Sequence, residues 1–346
     1  GIIATLLTLR YVKSPKYGEK LSANQVDWYG ILTLAGFIGS LQYVLEHGQQ
    51  DDWFNDKTIV TLSLISFFSL FFFVWRQLTY KYPIVNLKVL KDTNLRVGTI
   101  LSFIMGFGLY GSTFIIPIYT QSILGWTATD AGLLLIPSSL MTAFMMPIIG
   151  QLLQKGVPQK YLVAIGFLMF FFFTFWMYNV MTPDTGEEYM YWPLIIRGLG
   201  LGLLFVPITT LSLSTLKGKS IGEGAAFTGM MRQLGGSFGI AIITTFIARF
   251  SQEHRVNLIA NIDATKTQVQ DRITQLQHGF MAKGFSSNEA LAKAHKIIDF
   301  SVNKQSTVLS YMDIFLYLGL LFLVCIPIIL LIKNNKNKVN ISEAMH

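Results

Sequence analysis

Two arginines stand inside apolar runs, where a charge is costly. Arg197 lies in Leu194-Ile195-Ile196-Arg197-Gly198, and Arg232 in Met230-Met231-Arg232-Gln233-Leu234. An ionisable group at membrane depth is a functional hypothesis by default, because hydrocarbon offers neither water nor counter-charge. Two fates are open to each. The long side chain can reach a polar boundary on its apolar stem, or it can pair with a carboxylate and hold two parts of the protein together. Arg197 lies nearer the end of its run, and the expectation there is snorkelling toward the outer surface. Arg232 lies deeper, and both fates stay open. Asp130 is a third charge-pair candidate, although its spacing from Thr127 reads most simply as a helix-capping box.

A second set of residues could form a binding wall. Phe107, Tyr110, Phe114 and Gln121 recur at helical spacing and share one face. Phe205, Thr209, Met230 and Gln233 could face the same cavity from two other helices. A wall this apolar and aromatic, with Met and few polar groups, suits bulky amphipathic or cationic compounds. Ordinary interhelical packing is the competing reading for each residue. Enzyme chemistry finds little support. The five His have no ligand spacing, Cys325 is the lone cysteine, and no nucleophile–base pair or phosphate-binding loop is evident. No metal or cofactor is expected. No carboxylate lies in mid-run.

These residues need long apolar elements to position them. Eight stretches reach the ~20 residues that a spanning helix requires: 26–46, 58–78, 97–121, 131–153, 161–181, 192–215, 224–250 and 307–332. The fold expected is an all-α integral membrane protein with about eight complete transmembrane helices. Charge sets the orientation. Arg10, Lys13, Lys16 and Lys20 precede the first span, Arg76 to Arg96 supply five more bases after the second, and Lys155, Lys160, Lys217, Lys219, Lys333, Lys336 and Lys338 fall on the same alternating set. The opposite short loops hold Lys57 alone beside Glu46, Asp51, Asp52, Asp56, Asp184, Glu187 and Glu188. Bases stay on the cytoplasmic side, which puts the C-terminus inside. The net charge of +8 comes largely from this bias, so a nucleic-acid partner is not expected.

The expected organisation runs as follows. Residues 1–10 read as the tail of a helix that starts earlier, and 11–25 as a cytoplasmic loop. A two-helix hairpin spans 26–78, and its Phe67-Phe68 and Phe71-Phe72-Phe73 suggest a lipid-facing surface. An amphipathic cytoplasmic linker covers 79–96, a six-helix bundle 97–332, and a cytoplasmic tail 333–346. Within the bundle, 251–306 reads as a long extracytoplasmic loop with two amphipathic helices. The first carries Val269, Ile273, Leu276 and Phe280 and stops at Gly284; the second is capped at Ser286 and ends near Phe300. That loop is a solvated connector or a docking element. Gly198 with Gly202, and Gly235, Gly236 and Gly239, let backbones approach closely, for packing or for sliding.

Several strings carry a family resemblance. They are Val26-Asp27-Trp28-Tyr29-Gly30, Leu45-Glu46-His47-Gly48 through Asp52-Trp53-Phe54, and Pro83-Ile84-Val85-Asn86-Leu87. Tyr110-Gly111 with Pro117, Gln121, Gly125, Ala131-Gly132 and Pro137 is another, and Arg232-Gln233-Leu234-Gly235-Gly236-Ser237-Phe238-Gly239 the last. Their order and spacing resemble the fourteen-helix drug:proton antiporter branch of the major facilitator superfamily, with its EmrB- and QacA-type multidrug exporters. The resemblance implies six further helices before residue 1 and a C-terminal part of the superfamily fold. It implies proton-coupled efflux of amphipathic or cationic compounds by alternating access, in a bacterial inner membrane. It also implies an EmrA-like periplasmic adaptor and an outer-membrane channel, reached through 251–306. A dedicated exporter of one metabolite, siderophore or lipid is the alternative, and a non-transporting subunit or sensor the alternative of another class.

Overall fold

The computed structural model describes residues 5, 8–10, 27–80, 87–262 and 266–330. The loop at 11–25, most of the Pro83–Leu87 string, and the tail at 333–346 fall outside them. Within them the chain is helical: α1 (Trp28–His47), α2 (Lys57–Thr79), α3 (Thr93–Ser122), α4 (Ala128–Leu134), α5 (Ile136–Gln154), α6 (Gln159–Val180), α7 (Glu188–Leu213), α8 (Lys219–Asn261), α9 (Thr267–Met281) and α10 (Ser287–Leu330). Eight of these segments, with α4 and α5 counted together, are long and apolar enough to cross a membrane.

The helix starts follow local capping chemistry. Asp27 accepts from the Gly30 amide at 3.0 Å to open α1. Asp56 accepts from Thr58 and Ile59 to open α2, and those bonds hold its carboxyl below the ordinary value. Thr127 and Asp130 form the reciprocal capping box of α4, as their spacing suggests. Prolines inside α3, α5, α7 and α10 are tolerated because neighbouring helices and Ser/Thr side chains re-satisfy the freed backbone.

The segment 251–306 departs from expectation. It is not a loop carrying two separate helices. α8 runs on to Asn261, and α10 starts at the Ser286–Glu289 capping box and continues unbroken into its apolar half. No Gly or Pro interrupts 240–261 or 287–318, so only the side-chain composition changes while the backbone stays helical. α9 forms where the Val269–Phe280 pattern places it and ends before Gly284, whose φ of +91° is a left-handed position. The two long extensions are tied together: His254 Nε2 lies 2.8 Å from Asp313 Oδ2, and Arg255 Nη2 donates to Asp299 Oδ1 at 2.7 Å.

α3, α6, α7 and α10 enclose the main core. Phe167, Phe170 and Phe322 stack there, with 4.4 Å between the centroids of Phe170 and Phe322. α1 and α2 pack on each other, and α1 leans on α8. The hairpin exposes Phe67, Phe68, Phe71 and Phe72. At its base Arg76 Nε donates to the buried Asp27 at 2.5 Å, while the guanidinium lies over the Tyr80 ring.

Candidate functional site

Close approach of α3 and α8 comes first, because it sets everything facing them. A Cβ added at Gly106 would collide with the Arg232 carbonyl, and one at Gly235 with the Phe103 carbonyl. Gly236 faces the Tyr110 ring, and Gly239 the Phe107 backbone. These obstacles are mostly backbone, which cannot yield. On the other side Gly198 rests on the Ser138 carbonyl and Gly202 on Met145, drawing α7 onto α5. Thr142 adds a hydrogen bond to the Gly198 carbonyl at 3.0 Å.

That packing joins some of the candidate wall. Tyr110 Oη donates to Gln233 Oε1 at 2.9 Å, bridging α3 and α8. The Arg232 guanidinium lies 4.4 Å from the Phe205 ring centre, bridging α8 and α7. Phe107, Phe114 and Phe205 are partly buried against the main core. Gln121 is exposed near the end of α3, and its amide donates to the Pro117 carbonyl at 3.1 Å. Thr209 donates within its own helix to the Phe205 carbonyl at 2.8 Å. Met230 is half-buried on α8, one helical turn before Gln233.

One arginine departs from the sequence reading. Arg232 has no ion pair among the described residues; its guanidinium rests over an aromatic face. Arg197 does not snorkel. It is 4% exposed and points into the protein. Its Nε donates to Ser112 Oγ at 2.9 Å and its Nη1 to Ser138 Oγ at 3.0 Å, and its Nη2 reaches the Leu109 carbonyl and Thr113 Oγ1. The cause lies in the helix start. α7 begins at Glu188, which places Arg197 nine residues, or about 13 Å, along the axis. Every partner of this guanidinium is neutral, and none of the ion pairs among the described residues includes it. Beside it opens a cavity of about 240 Å³, walled by Arg197, Ser138, Thr142, Met146, Thr113 and Phe205.

Sequence reasoning missed this polar nest and the Asp27–Arg76 pair. The available signal was the adjacent hydroxyl pairs Ser112-Thr113 and Ser138-Ser139 inside apolar spans, the groups able to solvate a buried cation. Among the described residues no cluster of His, Cys, Asp and Glu could hold a metal ion.

Helices of membrane length, packed along glycine seams, carry these groups, and comparison with known proteins gives their family. The chain is 30% identical over 335 residues to the fatty acid resistance protein FarB of Neisseria gonorrhoeae, covering 96% of this chain and 63% of FarB. It is 27% identical over 277 residues to the multidrug export protein EmrB of Escherichia coli K12, covering 80% of this chain and 54% of that protein. It is 23% identical over 300 residues to the colistin resistance protein EmrB of Acinetobacter baumannii, covering 86% and 57%. The chain thus spans between 54% and 63% of the length of these relatives. The sequence profile of the Major Facilitator Superfamily matches residues 1–240, more than half of the chain, and the chain therefore belongs to that superfamily of multi-pass membrane transporters.

Proposed function

We propose that this protein exports amphipathic compounds across a bacterial cytoplasmic membrane by alternating access, driven by the proton gradient. The observation that carries this reading is a pair of contacts joining three helices, Tyr110 of α3 with Gln233 of α8 and Arg232 of α8 with Phe205 of α7, each an aromatic ring met by a polar group. Relatives named for multidrug export and for fatty acid resistance support it. On this reading 97–332 is one six-helix half of the transporter, and the 26–78 hairpin faces lipid beside it. The basic loops face the cytoplasm, and the paired extensions of α8 and α10 with α9 stand outside, where an adaptor protein would dock. The proton carrier lies outside this half.

Accumulation of fluorescent amphipathic compounds, anionic, neutral and cationic, tests it, in cells with and without the intact protein and with and without an uncoupler. Lower accumulation that the uncoupler abolishes is expected. Tyr110→Ala should shift the range of compounds exported while membrane abundance stays near normal. Accumulation unaffected by the protein, for every compound tried, would refute export and leave a sensor or subunit role.

A further inference from the structure

Arg197 carries a full charge at membrane depth with no anion beside it among the described residues. Burying an unpaired ion costs several kcal/mol even after relaxation, and the four neutral contacts offset only part of that. A guanidinium has five N–H donors. Four have acceptors: Ser112 Oγ, Ser138 Oγ, the Leu109 carbonyl and Thr113 Oγ1. The fifth, on Nη1, has none among the described residues. Ser138 accepts from Arg197, but its own hydroxyl proton has no acceptor among the described residues. The other hydroxyls are committed: Ser112 donates to the Gly108 carbonyl, Thr113 to the Leu109 carbonyl and Ser139 to the Leu135 carbonyl. Thr142 donates to the Ser138 and Gly198 carbonyls. Arg197, 4% exposed, and Ser138, buried behind it, both border the same cavity.

We propose that this cavity binds the anionic head group of an amphipathic substrate, best fitted by a carboxylate, with Arg197 as the charge anchor and Ser138 as the second donor. A carboxylate has two oxygens that can take one donor each, which matches the pair left open. The volume of about 240 Å³ is below the ~300–1,000 Å³ of a pocket that swallows a whole drug-sized ligand. It holds a head group and its first methylenes, and the tail leaves over Met146 and Phe205. Arg232 does not line the cavity, but its guanidinium lies 4.4 Å from the ring centre of Phe205, which does, so the nearest further charge is also positive. The site thus favours anions over cations. This rests on the export reading above and narrows it to the sign of charge that this half accepts.

The test is equilibrium binding to the intact protein in lipid nanodiscs, with empty nanodiscs subtracted. The ligands share one tail: radiolabelled dodecanoate, its methyl ester, and dodecyltrimethylammonium. Dodecanoate should bind at least tenfold more tightly than the ester, and the cation no better than the ester. Arg197→Met should bring dodecanoate down to the ester's level without changing the ester, Arg197→Lys should keep part of the preference, and Ser138→Ala should weaken dodecanoate severalfold. Equal binding of dodecanoate and ester to the wild type would overturn the proposal; an acidic side chain of the same protein already occupying Arg197 gives that result. Should Arg197→Met fail to insert, the wild-type ratio and Ser138→Ala decide. Export of the same ligands separates the two readings. Selective dodecanoate binding without any export sinks the export reading alone, and export without charge selectivity in binding sinks the anion site alone.

Discussion

Arg232 of α8 holds its guanidinium 4.4 Å from the ring centre of Phe205 on α7. A cation over an aromatic face contributes ~0.5–2 kcal/mol, most when water is excluded, and both residues here are half-buried. The contact joins the helix that carries the Gly235–Gly239 seam to the one that carries Arg197, so it can bias how α7 and α8 sit. Arg232→Lys keeps the charge but loses the planar stack and should slow transport partly; Arg232→Ala should slow it severely. A double-mutant cycle with Phe205→Leu separates stacking from snorkelling. Stacking predicts a coupling of about 1 kcal/mol between the sites, read from initial export rates normalised to inserted protein. Additive effects, with a wild-type rate for the Lys variant, would show that Arg232 only reaches for the interface.

Much of this arrangement could be read from the sequence, for identifiable reasons. The apolar runs are long and the charges between them strongly biased, so the number and order of membrane-length helices were legible. Capping boxes at Thr127 and Ser286 were legible because their partners are three residues away. Arg197 was misread because its fate depends on Ser112, Thr113 and Ser138, which reach it only through tertiary packing of α3 and α5. The 251–306 segment was misread for the opposite reason. Hydropathy drops there, but no Gly or Pro ends either flanking helix, and continuity of backbone is invisible to a hydropathy count. The face containing Phe107, Tyr110, Phe114 and Gln121 was legible as a face. That Tyr110 rather than Gln121 meets Gln233 follows from the Gly236 approach, which only the fold supplies.

At the hairpin base the two partners of one ion pair should behave unequally. Asp27 is 1% exposed, whereas the Arg76 side chain is 27% exposed and rests over Tyr80. Arg76→Ala leaves a buried carboxylate with, among the described residues, the Gly30 amide and Gln77 as its remaining donors. Removing one partner of a buried pair costs about 3–5 kcal/mol, and those two donors should hold the loss near ~3 kcal/mol. Asp27→Asn leaves a neutral amide inside and an arginine that can turn to water, a loss of about 1 kcal/mol by the ordinary value of one hydrogen bond. Thermal unfolding midpoints of the two variants in one detergent check the asymmetry. Equal shifts would mean that the pair does not stabilise the hairpin in the way its burial indicates.

Accessibility of single cysteines checks the orientation, once Cys325 is replaced. Asp52, Asp184 and Ser287 are exposed at one set of helix ends, and Lys155 and Lys217 at the other. Cysteines at the first three should react with an impermeant thiol reagent added to intact cells, and cysteines at the last two only after lysis. Thr185 is a poor choice despite lying one residue from Asp184. It is 8% exposed, and its hydroxyl donates to the Val180 carbonyl at 2.7 Å. Labelling at Lys217 from outside would invert the topology.

The glycine seam between α3 and α8 separates packing from motion most cleanly, because the same helix offers its own control. An added Cβ at Gly235 meets the Phe103 carbonyl, and at Gly106 the Arg232 carbonyl, whereas at Gly229 nothing lies within 4 Å. Gly229→Ala should therefore be neutral or stabilise by up to about 1 kcal/mol, from the helix propensity gained. Gly235→Ala must push two backbones apart, and overpacking of this kind costs about 1–3 kcal/mol. If the seam only packs, transport should fall in proportion to the protein lost from the membrane, and a rate normalised to inserted protein should stay at the wild-type value. If α8 slides along α3 during the transport cycle, Gly235→Ala and Gly106→Ala should lower the normalised rate more than tenfold while each protein remains folded. Gly229→Ala should leave that rate unchanged in either case. A matching fall for Gly229→Ala would tie the loss to the altered helix itself and remove the sliding contact from the argument.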